Sequence, residues 1–64
     1  MDEEAIKDIF NKLASREMTE YHVKKADFIQ FRNILVERED FKHFRGIAGR
    51  GGDVVYRYME VPRS

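Results

Sequence analysis

Apolar residues recur at helical spacing in two stretches of this chain and at strand spacing in a third. Over residues 3–15, Ile6, Ile9, Phe10 and Leu13 fall at i, i+3, i+4 and i+7, which is one face of a helix. Asp2 stands at the N-cap position. Glu3, Glu4 and Asp8 suit the positive end of the helix dipole, and Arg16 suits the other end. The second helical pattern runs over residues 27–38. Phe28, Phe31, Ile34 and Leu35 share a broad face, with Ile29 and Val36 on its flank. An arc this wide predicts a helix covered on more than one side, the central helix of the fold. Asp27 and Gln30, three apart, form a capping-box-like pair at its start. Arg32 falls inside the apolar arc. Its stem either lies along apolar neighbours or carries the charge to a partner surface. Gln30, Asn33 and Glu37 take the exposed side.

The strand pattern comes last. Val54, Tyr56 and Tyr58 alternate with Val55, Arg57 and Met59, the period of a half-buried strand. Upstream, Phe41 and Phe44 sit three apart and break strict alternation. A bulge, or a strand beginning only near Lys42, accommodates them. Gly46, Gly49, Gly51 and Gly52 permit positive φ and Asp53 favours a turn, so residues 41–60 read as a hairpin with its loop over 47–52. Residues 19–25 are ambiguous. Tyr21 and Val23 alternate with His22 and Lys24 as in a short strand, whereas Thr19-Glu20 suits the start of a short helix. The helix is preferred here, giving two or three helices followed by a C-terminal β-hairpin; a strand gives α-β-α-β-β instead. Either order is a small α+β domain spanning residues 1–64, with a frayed tail at 61–64 after the break at Pro62.

Composition narrows the picture. A 64-residue chain buries only roughly 60% of the surface its unfolded form exposes, so its core is thin. With no cysteine it has neither disulfide nor thiolate ligand, which fits a reducing, cytoplasmic setting. No apolar run is long enough for a transmembrane helix, and the acidic start MDEEAIKD is unlike a signal peptide, so no membrane partner is expected. Twelve acidic and twelve basic residues cancel, which argues against strong nonspecific nucleic-acid binding. The balance is uneven along the chain. Within residues 41–58, Lys42, Arg45, Arg50 and Arg57 face Asp53 alone.

Catalytic chemistry is poorly supplied. His22 and His43 lie at no metal-ligand spacing, Ser15 and Ser64 carry no signature of an activated nucleophile, and carboxylate pairs such as Glu37/Glu39 read as solvated charge. The chain is therefore read as a non-enzyme without cofactor or metal. Gly49-Arg50-Gly51-Gly52 precedes a strand, not a helix, so it is no dinucleotide or P-loop cradle. Gly46-Ile47-Ala48-Gly49 spells GxxG, but the strand-like Val54-Val55-Tyr56 after it is a poor second helix for a KH motif.

The order helix, short helix, helix, hairpin resembles a winged helix-turn-helix. The residues that carry the likeness are NILVERED closing a helix, the Gly49-Arg50-Gly51-Gly52 tip, and the return strand Val54-Val55-Tyr56-Arg57-Tyr58. The resemblance implies a small regulator of DNA or RNA, acting as a homodimer because one module offers little contact area. By it, Gln30, Arg32, Asn33 and Glu37 are candidate contacts of the central helix, and Arg45, Arg50 and Arg57, with Lys42 nearby, are candidate contacts of the hairpin. The segment 19–26 is short for a helix plus a turn, and the exposed side of the central helix is not basic. The competing expectation is a protein-binding adaptor or inhibitor that uses the hairpin edge or the acidic first helix.

Overall fold

The computed structural model describes residues 2–62, so Arg63 and Ser64 of the expected tail lie outside the described residues. Two helices and a three-stranded antiparallel sheet follow one another as α1 (Glu3–Ala14), β1 (Tyr21–Val23), α2 (Phe28–Leu35), β2 (Phe44–Ala48) and β3 (Val54–Tyr58). The strands lie in the order β1-β3-β2, so the C-terminal hairpin places its return strand in the middle of the sheet. The α+β class and the hairpin match the sequence reading.

Residues 19–25 do not form the preferred short helix. Tyr21, His22 and Val23 pair with Tyr56, Val55 and Val54, and the order is α-β-α-β-β. Tertiary demand explains the outcome. The inward side chains of β3 need a neighbour on the side away from β2, and Tyr21 and Val23 supply apolar cover there. One 3-10 turn, Lys25–Asp27, then leads directly into α2. That turn leaves Asp27 with helical dihedrals, φ −101° and ψ −8°, and its side chain makes no cap bond, so the Asp27–Gln30 capping box does not form. Asp2 likewise adopts the extended N-cap conformation without a side-chain cap bond.

Both apolar stripes turn inward. Ile6, Ile9, Phe10 and Leu13 of α1 meet Phe31, Ile34 and Leu35 of α2 over Val23, Phe44 and Tyr56 of the sheet. Phe10 is the hub. Its ring meets those of Phe31, Phe44 and Tyr56 edge-on, with centroids 5.7, 5.2 and 5.8 Å away. Arg38, just past α2, closes the core on one side. Its guanidinium lies 5.4 Å from the Phe44 ring centroid and 6.0 Å from that of Phe10. It also donates to both carboxylate oxygens of Asp40, at 2.8 and 3.2 Å, and to Asn11 Oδ1 on α1 at 2.9 Å. That arrangement lowers the Asp40 carboxyl below its ordinary value of 3.8, chiefly through the Arg38 hydrogen bonds.

Phe41 and Phe44 break strand alternation because Phe41–His43 form a 3-10 turn, and β2 begins at Phe44. At the other end β2 runs to Ala48, so the hairpin turn is tighter than a loop over 47–52. Gly51 and Gly52 hold φ of 69° and 87° there. A Cβ at Gly52 would also stand 2.8 Å from Lys25 Cδ. Gly52→Ala is expected to lower stability by about 1–2 kcal/mol, the usual cost of a left-handed L-residue. Urea denaturation checks this, and an unchanged midpoint would contradict the turn geometry described.

Candidate functional site

Strand order decides which backbone groups of the sheet remain open. β3 is paired on both sides, whereas β1 and β2 are edges. β1 is only three residues long, and its end is tied down. The Asp53 carboxylate accepts from the Lys25 backbone N–H at 2.9 Å and meets His22 Nε2 at 2.9 Å. The backbone bond and then the histidine hold the Asp53 carboxyl below its ordinary range.

β2 is the longer edge. Just beyond its ladder, the Met59 N–H donates to the His43 carbonyl and the Gly49 N–H to the Asp53 carbonyl, each at 2.7 Å. Hydrogen-bonded pairs alternate along an antiparallel ladder. Arg45–Arg57 and Ile47–Val55 are therefore the bonded pairs of the β2–β3 register, and Phe44, Gly46 and Ala48 turn their backbone groups outward. The Phe44 N–H folds back to the Phe41 carbonyl. Its carbonyl, and both groups of exposed Gly46 and Ala48, face away from the sheet.

An apolar groove of about 400 Å³ runs beside this edge, under α2. Phe28, Arg32, Leu35 and Val36 form its helical wall, with Phe44, Gly46, Ala48 and Tyr56 on the sheet side. Gly46 has a packing reason to be glycine. It stands opposite Tyr56, and a Cβ would come within 3.3 Å of that ring and 3.2 Å of Val54. Val36 and Ile47 are large apolar side chains exposed beside the same edge.

The outer face of the sheet, away from the helices, carries Arg45, Ile47, Val55 and Arg57, because residues alternate sides along each strand. Arg45 and Arg57 stand directly opposite one another. Like charges so placed are unfavourable. Among the described residues neither forms an ion pair. The β1 register extended by one residue would bring Glu20 level with Arg57 on its other side.

The candidate residues named from sequence thus fall into separate groups. Arg45 and Arg57 are together on the outer face, and Arg50 is exposed in the hairpin turn. Lys42 is exposed in the 3-10 turn before β2. Gln30, Arg32 and Asn33 are exposed on α2, and Arg32 joins the groove instead of the outer face. His43 Nδ1 bonds the Met59 carbonyl at 2.8 Å and its ring stacks on Tyr58. Sequence reasoning missed the outward backbone of Gly46 and Ala48, because strand order alone reveals it. No helix among the described residues is long and apolar enough to cross a membrane.

A family model described as YkzS-like protein matches residues 3–57, from the first turn of α1 almost to the end of β3. The chain belongs to that family. Comparison with curated proteins finds no match, and neither does comparison with solved structures.

Proposed function

We propose that this YkzS-like protein is a protein-binding module, an adaptor or inhibitor, that receives an extended segment of its partner along β2. The observation that carries the reading is the pair of exposed residues Gly46 and Ala48, whose backbone groups turn away from β3 beside an apolar groove. Strand addition uses such an edge for affinity, and side-chain pockets alternate along it for specificity. The equal numbers of acidic and basic residues suit a protein partner better than a polyanion.

Ala48→Pro tests this directly. Proline is tolerated on an edge strand where the missing N–H faces solvent. The variant is expected to fold like the parent and to lose the peptides that the parent selects from a displayed random library. Amide exchange supplies the second readout, since bound peptide should protect Gly46 and Ala48. Selected peptides that bind the proline variant equally well would refute the edge as the site.

A second reading is a nucleic-acid-binding regulator of winged-helix type. The Arg45–Arg57 couple, which forms no ion pair among the described residues, favours it together with Arg50 at the hairpin turn. It requires affinity for random duplex DNA that falls with salt and drops when Arg50 and Arg57 become alanine. An unchanged affinity in that double variant removes the hairpin from such a mechanism.

A further inference from the structure

We infer that the segment received by β2 places an acidic side chain opposite Arg45, between apolar residues that enter the groove. The inference rests on the strand-addition reading and specifies the chemistry of its ligand. Arg57 and Arg45 are neighbours across the outer face, yet neither has an ion-pair partner among the described residues. Arg57 has Glu20 level with it on the β1 side, by extension of the register. Arg45 has only the open edge on its other side, since β2 is the last strand. A carboxylate there would complete an acid-base-base-acid row across four strands and offset the repulsion of the central pair.

The flanking positions follow from the pleat. Residues of the added strand opposite Phe44, Gly46 and Ala48 point to the groove side, lined by Leu35 at the end of α2 and Val36 just after it. Gly46 has no side chain, so the position opposite it has room for the largest apolar group. The position opposite Ile47 returns to the outer face, beside an apolar neighbour. Read antiparallel to β2, the segment is apolar, β-branched, large apolar, acidic, apolar. A second copy of β2 does not fit this pattern. Paired antiparallel about Gly46, it would set its own Ile47 opposite Arg45 and leave both arginines without a carboxylate.

Short blocked peptides of this pattern, identical except for Glu, Gln or Lys at the acidic position, test the inference with the full chain. Fluorescence anisotropy gives affinity, and amide exchange at Gly46 and Ala48 reports edge pairing. The Glu peptide is expected to bind roughly tenfold more tightly than the Lys peptide. Arg45→Glu should reverse that order, and it removes a like-charge contact, so it should fold at least as well. Arg45→Gln, which should erase the preference, serves as the second variant. Equal binding of all three peptides with both amides protected would overturn the acidic specificity and leave strand addition standing. No protection with any peptide would overturn both. Edge amides already protected in a free protein that elutes as a dimer would make a second copy the occupant, and the inference would fail.

Discussion

Phe10→Ala is expected to abolish cooperative folding at room temperature. Truncating a buried phenylalanine costs about 3–5 kcal/mol. Phe10 is fully buried and touches three other rings edge-on, so the cost should lie at the upper end of that range. A chain of 64 residues has a total stability of roughly 3–10 kcal/mol. With a thin core and no disulfide, little remains to hold α1 on the sheet. Near-ultraviolet circular dichroism and urea titration measure this. A sigmoidal transition with the parent's midpoint would show that Phe10 is not the hub of the core. Phe10→Leu fills most of the volume and should keep the fold at a lower midpoint.

Arg38→Met should lower stability by about 1–2 kcal/mol, the lower part of the range for losing hydrogen bonds to a charged group. Methionine retains most of the apolar stem over Phe10 and Phe44, so the loss reports the polar half of the contact. Arg38 and Asp40 are only part-buried, with side-chain exposures of 21% and 30%, so solvent screening limits the figure. The pH dependence carries the sign. The Asp40 carboxyl is lowered in the folded protein, so its contribution is present above the ordinary value of 3.8 and is lost as pH falls through the lowered one. The parent should therefore lose stability on acidification below about pH 4 more steeply than Arg38→Met does. Parallel slopes in that window would mean that the pair does not couple to folding.

The elements that could be read from sequence are those whose periodicity is long enough to outweigh local ambiguity. Ile6, Ile9, Phe10 and Leu13 announce α1, and the Val54–Tyr58 alternation announces β3, because each repeats through at least two turns or pleats. β1 has three residues and no room for a repeat. Its state is set by Tyr56 and Val54, which lie more than thirty positions away in sequence. The Asp27–Gln30 spacing suits a cap, but the 3-10 turn before α2 gives Asp27 helical dihedrals instead. Gly46 read as a turn residue, but it lies within β2, where the Tyr56 ring needs the space. The arginines were legible as a basic cluster. Their division between the outer face and the groove was not, since it follows from which side of β3 each flanking strand occupies.

The two edges of the sheet differ in a way that bears on assembly. One margin is three residues long, with the Asp53 contacts to the His22 ring and the Lys25 N–H at its end. The other is five residues long and open. A sheet that can be extended on one side only is monovalent. If β2 receives a strand as proposed, the three-residue β1 margin offers little to the next one, which disfavours end-to-end growth into a fibre. Under the strand-addition proposal, a small chain with such a sheet would hold a bare, adhesive segment of another protein and terminate it, at a stoichiometry of one to one.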